Sequence, residues 1–175
     1  MDYKRVGGLT KETHIFVPGW GMTGEIFERW DKPENHILIH KFNPYSFTKD
    51  LMRLIEEESL DSINLVGYSL GALVVSRAAL ELASYIKSVL LISIREQYPE
   101  EIIDSMKKQL IENKASCLDQ FYKSICATKS DYDFFVDRFF HFQDLFLTKE
   151  LLIGLDYLKE YSMPNNLNLA PDQIR

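Results

Sequence analysis

Residues 63–71 read Ile-Asn-Leu-Val-Gly-Tyr-Ser-Leu-Gly, and residues 72–82 continue as Ala-Leu-Val-Val-Ser-Arg-Ala-Ala-Leu-Glu-Leu. The first four residues predict a short buried strand, and residues 72–82 predict a helix. Between them lies the pattern G-x-S-x-G, in which small residues permit a sharp turn that raises a serine side chain at the end of a strand. This context favours Ser69 as a catalytic nucleophile over a simple turn serine.

A second turn supports this interpretation. A short apolar run at residues 15–17 leads into Pro-Gly-Trp-Gly-Met at residues 18–22, and residues 24–30 read as a helix. In acyl-transfer enzymes the loop after an early strand supplies one backbone N–H to an oxyanion hole, and the residue after the nucleophile supplies the other. The candidate donors are therefore the backbone N–H groups of Trp20 and Leu70. The alternative is a glycine-rich turn in which Trp20 anchors the core.

Composition limits the classes of protein to consider. A chain of 175 residues with 46% hydrophobic content can bury one sizeable core. The net charge of −6 argues against a general nucleic-acid binder. The first five residues are polar and no run approaches the ~20 apolar residues of a membrane span, so neither a secretory signal nor a span is expected. Cys117 and Cys126 lack metal-type spacing, which indicates free thiols in a protein of the reducing cytoplasm.

Strand-like and helix-like segments alternate in the first half of the chain. The predicted strands are residues 14–17, 36–40, 63–66 and 86–92, and the predicted helices between them are residues 24–30, 48–58 and 70–83. Such alternation is typical of a parallel α/β sheet. After residue 93 apolar residues recur three or four positions apart, which predicts four helices at residues 99–113, 116–127, 130–146 and 149–161.

The segment 131–146 is unusually rich in phenylalanine, with too many rings for one narrow stripe. We interpret it as part of a helical lid over an apolar substrate, and the alternative is an ordinary amphipathic helix packed on the sheet. The predicted organisation is a core of residues 1–97, a lid of residues 98–162 and a tail of residues 163–175 that leads toward a further core strand.

The turn at residues 18–21, the elbow at residues 67–71 and the helical segment up to residue 161 resemble the α/β-hydrolases. The likeness is greatest to the pimeloyl-acyl-carrier-protein methyl ester esterases of biotin synthesis, the BioH type. It includes Ile-Arg-Glu-Gln-Tyr-Pro at residues 94–99, Phe121, and Gly-Leu-Asp-Tyr-Leu at residues 154–158. The resemblance implies an α/β-hydrolase core with a parallel sheet and a four-helix lid insertion, acting as a serine carboxylesterase.

The resemblance also implies how substrate and partner are held. The acyl chain of an ester substrate would lie along Trp20 and the lid segment Phe121, Tyr122, Lys123, Ser124 and Ile125, and no metal or organic cofactor is needed. An acidic acyl carrier protein would meet basic lid residues, which here are Lys107, Lys108, Lys114, Lys123, Lys129 and Arg138. A solvated helix face explains these basic residues equally well.

Two departures from the family pattern affect this expectation. The usual His-Gly-Trp-Gly is Pro-Gly-Trp-Gly at residues 18–21, which alters a side-chain hydrogen bond but leaves the backbone donors. In the family, the acid and base of the catalytic triad follow the lid on two further strands, which would begin near Arg175. Three interpretations stay open: a fragment of a longer enzyme, a naturally shortened protein, or a shortened enzyme that uses another base.

A serine hydroxyl needs a base within hydrogen-bond reach to act as a nucleophile. His141, with Asp137 one helical turn earlier and Asp144 three residues later, is the candidate replacement base in the lid. A helical histidine between aromatic residues is more often a packing residue. The other three histidines, His14, His36 and His40, lie in or at predicted strands.

The alternative to an enzyme is a truncated, catalytically silent module that binds an acyl chain or a carrier protein. In either case the sheet edge beside residues 86–92 is expected to be open, because the further strands would cover it. Self-association through that edge is then expected, unless residues 172–175 or a partner closes it.

Overall fold

The computed structural model describes residues 1–8 and 12–164, and it contains a five-stranded sheet in that part of the chain. The strands are β1 (Asp2–Val6), β2 (Glu12–Val17), β3 (His36–Lys41), β4 (Ser62–Tyr68) and β5 (Ile86–Ile92). Their spatial order is β1-β3-β2-β4-β5. β1 pairs antiparallel with β3, and the other neighbouring pairs are parallel. Residues 165–175 of the predicted tail, which is expected to lead toward a further core strand, lie outside the described residues.

Helices connect the strands and form the second half of the described chain. The core helices are a short 3₁₀ helix (Gly24–Phe27), α1 (Phe47–Glu57) and α2 (Leu70–Glu81). Residues 98–162, the segment predicted to be a lid and called the lid below, contain α3 (Glu100–Glu112), α4 (Lys114–Ile125), α5 (Lys129–Phe139), α6 (Phe142–Leu145) and α7 (Thr148–Glu160). No helix among the described residues is both long and apolar enough to cross a membrane.

The central strands are buried on both faces, which is why they read as continuous apolar runs in the sequence. Residues 63–67 of β4 are all buried. On one side, α1 buries Phe47, Leu51, Leu54 and Ile55, whose spacing forms a single stripe along the helix. Each such side chain contributes about 1.5–3 kcal/mol when it leaves water. This burial stabilises the sheet, from which the loops at its carboxyl edge extend.

Parallel register brings the ends of three strands to one edge. Val17 of β2 is paired with Gly67 of β4, and Tyr68 is paired with Ile92 of β5. The turn at residues 18–21 and the elbow at residues 67–71 therefore leave the sheet side by side. Sites in open α/β sheets form at this edge.

The aromatic residues of the lid pack against one another and belong to the main hydrophobic core. The rings of Phe139 and Phe142 stack with centroids 5.1 Å apart, and Phe135 lies 5.2 Å from Phe139. Where one helix was predicted over residues 130–146, the chain turns after Phe139 and begins α6. The turn leaves Phe140 46% exposed while Phe142 is fully buried.

β5 is the last strand of the described sheet, and its carboxyl half is only partly covered. Leu90, Leu91 and Ile92 are half-buried, whereas Val89 is buried. This position agrees with the expected edge beside residues 86–92, and self-association through it stays a prediction.

Candidate active site

Ser69 lies on a strained turn between β4 and α2. Its backbone has φ 53° and ψ −116°, a left-handed conformation that costs a non-glycine residue about 1–3 kcal/mol. The flanking glycines permit the turn because there is no room beside them. A Cβ on Gly67 would lie 2.6 Å from Ala72 Cα, and a Cβ on Gly71 would lie 2.2 Å from the carbonyl oxygen of Val17. Close backbone packing thus requires the two glycines of the G-x-S-x-G pattern.

The side chain of Ser69 is half-buried and faces the start of the lid. Its Oγ lies 3.4 Å from the hydroxyl oxygen of Tyr98, and either group can be the donor. The backbone N–H of Ser69 donates to the carbonyl oxygen of Ile92 at 2.9 Å, which fixes the elbow to β5. Tyr98 was not predicted as a site residue, because its sequence position gives no sign that it meets Ser69.

The two segments that carry the predicted oxyanion donors are adjacent. A Cβ on Gly19 would lie 3.2 Å from Ser69 Cβ, so the turn before Trp20 touches the elbow directly. Leu70 is the first residue of α2, and a helix leaves its first N–H groups without an intrahelical acceptor. The positive end of the helix dipole lies at the same place. The arrangement suits a developing negative charge beside Ser69, and the donor roles of Trp20 and Leu70 stay predictions.

Lid helices hold the turn at residues 18–21 in place. The indole N–H of Trp20 donates to the carbonyl oxygen of Leu151 in α7 at 2.8 Å. The hydroxyl of Tyr122 in α4 donates to the carbonyl oxygen of Gly21 at 2.7 Å. Burial of this phenol raises its pKa well above the ordinary value, so it remains a donor at neutral pH. The lid is therefore fixed to the turn by buried hydrogen bonds.

The five lid residues predicted to line an acyl channel have different surroundings. Phe121 is half-buried with its ring edge-on to Trp20, at a centroid distance of 5.0 Å. Tyr122 is buried against Gly21. Lys123, Ser124 and Ile125 are exposed on the outer side of α4, where Lys123 pairs with Asp119. Phe121 and Tyr122 thus reach the turn, and a channel along the whole segment stays a prediction.

His141 meets a carboxylate of the core rather than Ser69. Its Nε2 lies 3.1 Å from Glu25 Oε2, and both groups are near the surface. Arg138 in α5 lies 4.0 Å from Glu28 in the same part of the core. These pairs connect the lid to the 3₁₀ helix, so the geometry gives His141 a tethering position and no hydrogen bond to Ser69.

The other three histidines are not hydrogen-bonded to Ser69 Oγ either. His14 and His36 are paired with each other in the amino half of β2 and β3, where burial lowers the pKa of His14. His40 is near the carboxyl end of β3, but β2 lies between β3 and β4. Two strand spacings separate His40 from the elbow by about 10 Å. None of the four histidines, all of which are described, is hydrogen-bonded to Ser69.

Several basic residues of the lid are engaged within the molecule. Lys107 pairs with Asp156 at 2.5 Å, and Lys114 donates to the carbonyl oxygen of Phe146 at 3.0 Å. An acyl carrier partner for the lid stays a prediction.

Cys117 and Cys126 are free thiols, and no group of three metal-ligating side chains occurs in residues 1–8 and 12–164.

Tyr122→Phe is expected to lower the free energy of unfolding by about 1–3 kcal/mol, because it leaves the buried carbonyl oxygen of Gly21 without its donor. The matched control is Tyr45→Phe. Tyr45 is 47% exposed and its hydroxyl donates to Glu160 at the surface, so its loss is expected to cost less than about 0.5 kcal/mol. Denaturant unfolding of both variants measures the difference, and equal losses would contradict a buried clamp.

Comparison with solved structures identifies the fold. A hydrolase from Oleispira antarctica is 9% identical with a TM-score of 0.73, and an esterase from Exiguobacterium antarcticum is 11% identical with a TM-score of 0.74. A bromoperoxidase from Bacillus anthracis is 19% identical with a TM-score of 0.75. Each alignment covers 92% of this chain and 70% of the other. No protein-family model and no curated protein matches the sequence. The chain has the predicted α/β-hydrolase fold, and identities this low show the fold alone.

Proposed function

We propose that this protein is a serine hydrolase of carboxylic esters, carboxylesterase-like, with Ser69 as nucleophile. The observation that carries the proposal is the strained backbone of Ser69 at the carboxyl edge of the sheet, between two glycines that admit no side chain. Backbone strain of this kind is kept where it positions a reacting group. The esterase and hydrolase names among the structural neighbours support the same class by analogy.

The proposed reaction has two steps. Ser69 Oγ attacks the ester carbonyl while a base takes its proton, and the N–H groups of Trp20 and Leu70 stabilise the oxyanion. The proton then passes to the leaving alcohol, and an acyl-enzyme remains. Water attacks this acyl group in the second step, releasing the carboxylic acid and restoring the serine hydroxyl. None of the four histidines is hydrogen-bonded to Ser69 in this arrangement, and the role of His141 as the base stays a prediction.

The specific substrate favoured by the sequence resemblance is the methyl ester of a pimeloyl chain on an acyl carrier protein, as in biotin synthesis. The second candidate function is a catalytically silent acyl-binding module. One observation favours it: the described side-chain hydrogen-bond partner of Ser69 Oγ is the Tyr98 hydroxyl, and no imidazole or carboxylate of the described residues is bonded to that oxygen.

Added imidazole separates the two functions. We expect millimolar imidazole to raise the protein-dependent hydrolysis of p-nitrophenyl butyrate at least about tenfold, because a small base can enter beside half-exposed Ser69. Ser69→Ala measured at the same imidazole concentrations gives the background rate. An imidazole response of the same size in both proteins would support the silent module and contradict the esterase.

A further inference from the structure

The hydroxyl of Tyr98 is placed to exchange a proton beside the candidate nucleophile. It lies 3.4 Å from Ser69 Oγ, and either group can donate the hydrogen bond. This separation exceeds the value of about 2.7–2.8 Å that is usual for two hydroxyl groups. The bond is therefore weak, and the Tyr98 proton can turn to a third oxygen that binds next to Ser69. Both side chains are half-buried, so a bound molecule can reach them.

Contacts on both sides of the chain hold Tyr98 at the elbow. Pro99 follows it, and a proline restricts the preceding residue to extended backbone conformations. The carbonyl oxygen of Pro99 accepts from the N–H of Ile103 in the first turn of α3 at 3.2 Å. The N–H of Met163, after α7, donates to the carbonyl oxygen of Glu96 at 3.0 Å. The Tyr98 ring also packs against the main hydrophobic core, so its hydroxyl has a defined place.

Ser69 lies between its proposed oxyanion donors and Tyr98. β4, which leads to Ser69, has β2 on one side and β5 on the other. The turn that carries Trp20 follows β2, and Tyr98 belongs to the segment after β5. The substituents of a tetrahedral carbon point in different directions. An ester whose carbonyl oxygen points to the donors on the β2 side can therefore place its leaving oxygen on the β5 side, toward Tyr98.

We propose that Tyr98 is a catalytic residue of the ester hydrolysis and that its hydroxyl gives its proton to the leaving oxygen of the substrate. This inference rests on the proposed function. A base takes the proton of Ser69 as the bond between Oγ and the carbonyl carbon forms. The O–H bond of Tyr98 then breaks together with the bond between that carbon and the leaving oxygen, so a neutral alcohol departs. The protonated base gives its proton to the phenolate, which restores Tyr98 and the base.

The need for this proton depends on the leaving group. An alkoxide such as ethoxide is a strong base and leaves slowly unless it is protonated, whereas p-nitrophenolate leaves as an anion. General acid catalysis contributes about 10²–10⁴-fold to the rate where it acts. Tyr98 thus suits the protein to esters of simple aliphatic alcohols.

The test compares ethyl butyrate with p-nitrophenyl butyrate in Tyr98→Phe, at one imidazole concentration for every reaction. This substitution removes the hydroxyl and keeps the ring that packs against the core. We expect the ratio of kcat/KM for the ethyl ester to kcat/KM for the p-nitrophenyl ester to fall at least about tenfold, because only the ethyl ester needs the proton. Butyrate release is measured by chromatography, and thermal unfolding shows whether the variant is folded.

Tyr45→Phe is the matched control, since the Tyr45 hydroxyl donates to Glu160 at the surface. Less than a twofold change in the same ratio is expected. A third ester, 2,2,2-trifluoroethyl butyrate, has a leaving group of intermediate basicity. Its rate in Tyr98→Phe should fall by an amount between those of the other two esters.

The wild-type protein gives a measurement that does not depend on folding of the variant. Its rates for the three esters should fall less steeply with leaving-group basicity than the rates with imidazole alone. An equal slope overturns the role of Tyr98, and so does an equal loss for all three esters in Tyr98→Phe, which would mean that Tyr98 only supports the fold or positions Ser69. Both results leave the esterase intact. Hydrolysis of p-nitrophenyl butyrate that is unchanged in Ser69→Ala overturns the esterase and its proton donor together.

Discussion

Ser69→Ala is expected to remove the protein-dependent hydrolysis of simple esters, lowering kcat/KM by about a thousandfold or more once a base is supplied. The reason is that the covalent step disappears, while the proposed oxyanion donors remain. The measurement is p-nitrophenyl butyrate hydrolysis with imidazole, with folding of the variant checked by circular dichroism.

Ser93→Ala is the matched control for this loss. Ser93 follows β5 and has the same positive φ of 53° as Ser69, but it has no part in the proposed chemistry. Less than a tenfold change is expected. A similar loss in both variants would mean that a disturbed sheet edge, rather than a missing nucleophile, lowers the rate.

Gly71→Ala is expected to destabilise the fold by about 3 kcal/mol or more. The new Cβ would lie 2.2 Å from the carbonyl oxygen of Val17 and 2.5 Å from that of Pro18, and neither backbone atom can move without displacing the turn. For a chain of this size we expect the melting temperature to fall by roughly 10 °C. The displaced turn also carries Trp20, so ester hydrolysis should fall with stability.

Gly8→Ala provides the same chemical change where there is room. The nearest atom to its new Cβ is Asn35 Oδ1 at 3.9 Å, so a change below about 0.5 kcal/mol is expected. Thermal unfolding of the two variants tests the packing of the elbow. A small and equal effect for both would show that α2 does not press on the end of β2.

Local patterns predicted the elbow and most of the sheet, because their signals lie within a few consecutive residues. Ile86–Ile92 is a strand with the predicted bounds, and α2 begins at Leu70 as expected. β1 was not predicted, because this outer strand is rich in polar residues and contains no continuous apolar run. The helix expected at residues 24–30 is a single 3₁₀ turn of four residues.

The parts of the candidate site that were not predicted depend on contacts between distant segments. His141 was considered as a base because Asp137 and Asp144 lie near it in the sequence. Its hydrogen-bond partner, Glu25, is 116 residues away in the chain. Tyr98 meets Ser69 across 29 residues. Gly154 is the one residue whose type reflects such a contact. A Cβ there would lie 2.7 Å from Trp20 Cδ1, so glycine is needed for the indole to lie against α7.

Mass spectrometry detects the covalent bond that Ser69 is proposed to form with an acyl group. The protein is incubated with p-nitrophenyl octanoate and imidazole, quenched with acid, and digested to locate any adduct. One octanoyl group on the peptide that contains Ser69, and none on the Ser69→Ala protein, is the expected result. An adduct of equal amount in both proteins, or no adduct on the wild-type chain, would contradict the role of Ser69 as the nucleophile.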